Sequence, residues 1–318
     1  MTYPNESKVK TEKKYSGVIV PMITPFTSDG KVDEAAVEKI LQHFIEADVS
    51  AFILGTTGEA SSVPEPEKIR FVEFTTKNFL GKIPLYVGIS SNCFETSVQL
   101  ARRYYDLGAE NFVAHPPYYY PLNADQLFRY YQNLIDSIPG NLIVYNITAT
   151  THISIPLDVI EKLSYHDRII GAKDSERDIN RLKRSVEMWK DRPDFSHFIG
   201  WGAQCGPGLL LGSDGLVPST GNIIPEIYRE LYSAALQGDK KLAGELQEKT
   251  MVVSAIYQKN RILSQSLAAL KIIMNHFGWC RPDVLPPLLN LDETERQKII
   301  NQVVNTDIQI SGAKHLRM

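Results

Sequence analysis

The chain has 318 residues, 43% of them hydrophobic and 22% charged, and a formal net charge of −3. This is the composition of an ordinary water-soluble globular protein, long enough for a full core in one large domain or two ordinary ones. The near-neutral charge gives no electrostatic case for nucleic acid or an anionic membrane as a partner. No apolar run approaches the roughly 20 residues of a membrane span. The three cysteines, Cys93, Cys205 and Cys280, are odd in number and far apart. They form neither a disulfide framework nor a zinc-binding spacing, so a reducing compartment, the cytoplasm, is expected and no metal site is.

Met1 to about Ser16 is polar and lysine-rich and reads as a flexible tail, as does Ser311 to Met318. From Gly17 on, strands and helices alternate. Gly17-Val-Ile-Val-Pro-Met-Ile-Thr24 is the first apolar run, and Ser28-Asp29-Gly30 has turn chemistry. Val37, Ile40, Leu41, Phe44 and Ile45 recur at helical spacing. The second strand, Ala51 to Leu54, runs into Gly55-Thr56-Thr57-Gly58-Glu59, and a helix spans Pro66 to Leu80. The third strand is Pro84 to Ile89, followed by a helix from Glu95 to Leu107. The fourth, Asn111 to Ala114, leads into His115-Pro-Pro-Tyr-Tyr-Tyr-Pro121. Asn123 is suited to cap a helix that runs to Asp136.

Leu142 to Tyr145 is the fifth strand, and Pro156 opens the next helix at a position proline favours. The sixth is Ile169-Ile-Gly-Ala-Lys173-Asp-Ser175, with a charged helix from Asp178 to Lys190 behind it. Phe195 to Gly200 and Gly215 to Pro218 are the seventh and eighth, the last running into Ser219-Thr-Gly-Asn222. Eight such units about 30 residues apart are the signature of a (β/α)8 TIM barrel, here over residues 17–236. An open doubly wound sheet also alternates, but the Gly-rich turn it carries after its first strand is missing. Helical segments at Lys240–Lys259, Arg261–Phe277 and Asp292–Val304 form a C-terminal helical appendage, residues 237–310, packed on the barrel or on another subunit.

Sites in such barrels lie at the C-terminal ends of the strands. The polar residues there are Thr56, Thr57 and Glu59, the tyrosines 118–120, Tyr145, Lys173 to Ser175, and Ser219 with Thr220 and Asn222. A lysine at a strand end ordinarily reaches out to water. One held in a buried strand instead loses its proton readily and becomes a nucleophile toward a carbonyl carbon. Tyr145 lies 28 positions before Lys173, one repeat, so the two end neighbouring strands and form a candidate proton-relay pair. The hydroxyls and backbone N–H groups of Gly55 to Gly58 suit a small carboxylate, or else make a solvent-facing turn. Glu59 is read as structural, and so are His115 and His152. The flanking prolines stiffen the tyrosine loop.

Gly-Thr-Thr-Gly-Glu, Pro-Tyr-Tyr, Tyr-Asn and Gly-x-Lys-Asp, in that order on successive strand ends, resemble the dihydrodipicolinate synthase / N-acetylneuraminate lyase family of Schiff-base aldolases. The resemblance covers roughly Gly17 to Asn290. It implies that Lys173 forms an imine with pyruvate or another 2-oxo acid and needs no separate cofactor. It also implies that Tyr145 relays protons, that Thr56 and Thr57 hold the carboxylate and the relay, Thr57 as a catalytic residue and Gly58 as a substrate contact, and that Tyr119 reaches a neighbouring subunit's site in a dimer or tetramer. Thr150, Ser175 and Ser219 complete the expected substrate contacts. Synthases of the family carry arginine where Thr150 stands, and neuraminate lyases carry acidic residues where Gly200-Trp-Gly-Ala203 stands. Asn146 to Thr150 is closer to the 2-keto-3-deoxy-sugar-acid aldolases. The expected function is therefore reversible aldol cleavage of a sugar-derived 2-oxo acid. The alternatives are synthase, neuraminate lyase, dehydratase, or a barrel that only binds its ligand.

Overall fold

The structure, a computed structural model, describes residues 13–306. The tail readings for residues 1–12 and 311–318 lie outside them. The elements run β1 (Gly17–Pro21), α1 (Glu34–Glu46), β2 (Ser50–Ile53), α2 (Glu65–Phe79), β3 (Leu85–Gly88), α3 (Phe94–Asp106), β4 (Asn111–Ala114) and α4 (Ala124–Ser137). Then come β5 (Asn141–Asn146), α5 (Thr148–Thr151), α6 (Leu157–Leu163), β6 (Ile169–Asp174), α7 (Ile179–Trp189), β7 (Ser196–Ile199), α8 (Cys205–Leu211) and β8 (Gly215–Leu216). The chain continues with α9 (Pro225–Leu236), α10 (Lys240–Gln258), α11 (Leu263–His276) and α12 (Glu293–Val304). The strands pair in sequence order, all parallel, and β8 returns to β1, closing the (β/α)8 TIM barrel.

Local chemistry sets these boundaries. Asn123 caps α4 in a reciprocal capping box with Gln126, and Asp33 and Asp178 cap α1 and α7 through their carboxylates. Strand side chains alternate between two cores. Ile19, Phe52, Tyr86, Val113, Ile143, Ile170, Phe198 and Val217 fill the barrel interior. Val20, Ala51, Ile53, Val87, Phe112, Val144 and Ala172 pack outward against the helices. Gly171 has no room for a side chain, because a Cβ there would strike the Ser196 carbonyl and the Phe198 ring.

Two features depart from the sequence reading, and a third, helix α8, falls where that reading assigns no element. Helix α8 forms in spite of the Gly-Pro-Gly that follows Cys205. Its glycines allow a close approach to neighbours, and the Gly206 N–H donates to Gln247 Oε1 at 2.7 Å on α10. The strands are shorter than the apolar runs, β8 most of all at two residues. Lys13, read as tail, is packed at the N-terminal end of the barrel. Its ammonium donates to the Trp189 and Phe195 carbonyls and to Asp214 Oδ2, each at 2.8 Å. The C-terminal helices pack on the barrel, with α10 against α8 and α9, and α11 against α10 and α12.

Candidate active site

Strands β5 and β6 run side by side in a register that pairs Tyr145 with Lys173 and Asn146 with Asp174. Both side chains of the first pair turn into the barrel. Lys173 is 5% exposed, with Nζ 3.9 Å from the centroid of the Tyr145 ring and 5.0 Å from that of Phe52. Burial pulls its pKa below the ordinary lysine value, and the charge interaction and hydrogen bond with Tyr145 work in the opposite direction. The amine is thus placed to be a nucleophile and has a hydroxyl beside it to exchange protons with.

The second pair anchors the first. Asp174 Oδ1 accepts from Asn146 Nδ2 at 3.0 Å and from the Glu176 N–H at 2.9 Å, and Oδ2 accepts from Arg181 Nε at 2.6 Å. Glu176 Oε2 accepts from Asn146 Nδ2 and from Ser154 Oγ. This network ties the ends of β5 and β6 to the start of α7, and so fixes Tyr145 against Lys173.

A cavity of about 250 Å³ opens at the C-terminal end of the barrel. A smaller pocket of about 10 Å³ beneath it is lined by Lys173 and shares Phe52 and Val113 with it. Of the sequence candidates, Thr56, Tyr145 and Thr150 line the cavity. Thr57 is buried in the same loop, and the Gly58 carbonyl accepts from Thr24 Oγ1 at 2.6 Å; neither lines the cavity. Ser175 and Ser219 do not line it either. The Ser175 N–H is bonded to the Asn146 carbonyl, and the Ser219 hydroxyl to that of Tyr257 on α10 at 2.8 Å. Tyr119 lies outside the cavity at 74% exposure, whereas its neighbour Tyr118 lines it.

The sequence reading, which makes His115 and Glu59 structural, leaves several wall residues out of the site. His115 was detectable, since it directly follows β4 at the end where sites form. Glu59 lines the cavity and also forms a fully buried ion pair with Lys271 of α11, and its Oε2 accepts from the Leu285 N–H at 3.1 Å. Leu263 and Leu267 of α11, with Leu288, close the far side. Nothing local marks those leucines, because they are brought there by long-range packing. Gly88 also lines the cavity, where a Cβ would collide with the Leu54 carbonyl. Leu54 itself has φ +55°, an uncommon backbone conformation of the kind found beside functional sites.

Among the described residues, no group of three or more His, Cys, Asp or Glu side chains is placed to hold a metal ion. Also among them, no helix is long and apolar enough to cross a membrane.

A shielded lysine–tyrosine pair beneath a cavity at the C-terminal end of a closed parallel barrel has the layout of a barrel enzyme. The chain belongs to the dihydrodipicolinate synthetase family, whose family model matches residues 14–306. Members of that family are lyases and aldolases, and the protein is an enzyme of that kind. A solved dihydrodipicolinate synthase of Bacteroides thetaiotaomicron is 31% identical, with a TM-score of 0.87 over 93% of this chain and 100% of its own. YagE of Escherichia coli K12, solved in complex with pyruvate, is 25% identical with a TM-score of 0.85, over 92% and 98% of the two chains. The probable 2-dehydro-3-deoxy-D-pentonate aldolase YjhH of the same organism is 29% identical over 90% of this chain and 96% of its own.

Proposed function

We propose that the enzyme forms an imine between Lys173 and pyruvate or a related 2-oxo acid, and through it cleaves and re-forms a sugar-derived 4-hydroxy-2-oxo acid. The observation that carries this reading is the buried Lys173 amine set against Tyr145. The imine polarises C2 of the bound acid, so the lysine supplies the activation and the scheme needs no other cofactor. Tyr145 moves protons as the carbinolamine loses water. Thr56, in the cavity wall, and Thr57, with the N–H groups of their loop, hold the carboxylate. The solved relative with pyruvate bound and the sugar-acid aldolase relative both agree with this choice of substrate.

The acceptor end of the cavity favours an aldehyde without charge. Ser61, Ser62, Ser90 and Thr150 offer hydroxyls there, and among the described residues no arginine or lysine lines the larger cavity. We assign the enzyme to a reducing cytoplasm, in keeping with its three free cysteines. We also assign it to a dimer or tetramer joined through the tyrosine loop.

The test is reduction with borohydride in the presence of pyruvate. One reduced adduct per chain is expected, mapped to Lys173, and an adduct elsewhere or none would refute the imine. Pyruvate release from a panel of sugar-derived 2-oxo acids then separates an aldolase from a synthase or dehydratase.

A further inference from the structure

His115 follows directly on β4 and stands in the cavity wall. Its backbone N–H donates to Ser90 Oγ at 2.9 Å, and its Nδ1 lies 2.9 Å from the Pro116 carbonyl oxygen. A carbonyl oxygen can only accept, so Nδ1 carries the proton. In the neutral ring Nε2 then holds the lone pair. Among the described residues no protein group hydrogen-bonds that atom. His197, the buried histidine of β7, differs: it engages Ser213 through Nδ1 and Ser185 through Nε2. The His115 ring centroid is 6.3 Å from that of Tyr145, whose ring in turn lies against Lys173.

We infer that His115 is a catalytic base of the carbon–carbon step, its Nε2 taking the proton of the C4 hydroxyl of a 4-hydroxy-2-oxo acid held as an iminium on Lys173. This rests on the imine reading above. As the proton moves from O4 to Nε2, the oxygen's electron pair forms the aldehyde C=O. The C3–C4 bond breaks, and its pair forms the C2=C3 bond of an enamine, which neutralises the iminium charge. The imidazolium then returns its proton to C3, and water hydrolyses the resulting iminium to the 2-oxo acid and free Lys173. In the condensing direction the imidazolium protonates the new alkoxide. Tyr145 keeps the proton transfers at the lysine end.

The electrical surroundings agree with this role. The His115 pKa is held below 6.5, by burial first and then by the Lys173 charge, and the bond to the Pro116 carbonyl acts in the other direction. The ring is therefore a neutral base at pH 7. The ionisable groups around it are Lys173 on β6, Tyr145 on β5, Tyr118 in its own loop, and Glu59 in the cavity wall, the last paired with Lys271.

The experiment compares wild type with His115→Phe and His115→Gln. All three are incubated with pyruvate and borohydride, then assayed with 2-dehydro-3-deoxy-D-pentonate and with pyruvate plus glyceraldehyde. Both variants should keep a full-yield adduct on Lys173 and lose about 10²–10⁴-fold in kcat. They should also lose the acidic limb of the kcat/KM profile, whose wild-type midpoint falls below 6.5. Turnover within about threefold of wild type, well short of general-base magnitudes, overturns the inference. So does loss of the adduct in step with turnover, which marks a structural role. A wild type that is trapped but makes or breaks no carbon–carbon bond with either substrate pair overturns it as well. A wild type that is not trapped at all removes the imine reading itself.

Discussion

Glu59 and Lys271 form an ion pair from which solvent is wholly excluded, joining the loop after β2 to helix α11. The same ammonium donates to the Asp283 carbonyl at 2.9 Å and lies 4.0 Å from the Phe26 ring centroid, while the carboxylate also takes the Leu285 N–H. The pair therefore holds the C-terminal helices over the mouth of the barrel and sets the wall formed by Leu263 and Leu267. Lys271→Met leaves a carboxylate buried without its partner and should cost about 3–5 kcal/mol in urea unfolding. The double variant Lys271→Met/Glu59→Gln should recover a large part of that loss. Equal stability of the single and double variants would contradict the pairing.

Tyr145 sets its ring against Lys173 and, in the proposed mechanism, its hydroxyl exchanges protons with the amine. Tyr145→Phe keeps the first and removes the second. Its turnover should fall about 10²–10⁴-fold with the borohydride adduct still formed. Unchanged turnover would reduce Tyr145 to packing.

In the proposed function, Thr150, which lines the cavity, selects the acceptor. An acceptor carboxylate not served by the backbone N–H groups of the Gly55–Gly58 loop calls for a charged, bidentate partner, and threonine offers one uncharged donor. The missing charge-assisted bond is worth about 1.5–3 kcal/mol, roughly 10–150-fold in affinity. The kcat/KM for condensing pyruvate with glyceraldehyde should therefore exceed that with aspartate semialdehyde, and Thr150→Arg should narrow the gap. A wild-type preference for the semialdehyde of about tenfold, 1.4 kcal/mol, would establish the synthase reading instead.

His197 predicts acid sensitivity. It is buried between β7 and α7, and desolvation lowers its pKa from 6.5 to about 4. The unfolded chain takes up this proton before the folded one does. Stability is therefore complete above pH 6.5 and is lost progressively as pH falls to about 4, by about 3 kcal/mol at 1.36 kcal/mol per pH unit. Urea midpoints of wild type should fall more steeply over that window than those of His197→Gln. Parallel curves would show that the imidazole is not the responsible group.

Tyr119 and Tyr120 stack edge to face at 5.0 Å on an exposed loop, with the Tyr118 and Tyr119 N–H groups held by Asn92 Oδ1. Aromatic side chains are enriched at interfaces. Wild type should sediment as a dimer or tetramer at micromolar concentration, and Tyr119→Asp should dissociate it. A monomeric wild type would remove the tyrosine loop as an interface.

Alternation of apolar runs with helical periodicity, about one repeat apart, was sufficient to specify the barrel, because each local pattern agrees with the global fold. The placement of Lys173 beside Tyr145 was legible for the same reason: residues one repeat apart at matching strand ends become neighbours in a parallel sheet. Ser175 and Ser219 show the limit of that reasoning. Sharing the C-terminal end of the barrel does not give a side chain a place on the cavity wall: neither serine lines it, and the Ser219 hydroxyl is taken by Tyr257. His115 sits at a legible position, but which of its ring nitrogens keeps the lone pair follows from the contact of Nδ1 with the Pro116 carbonyl. The Glu59–Lys271 pair spans 212 positions of the chain. Leu263, Leu267 and Leu288 likewise reach the cavity from beyond the last strand. Such contacts depend on how helices outside the repeat dock, and docking of that kind is decided by side-chain packing between distant segments, which leaves no period in the sequence.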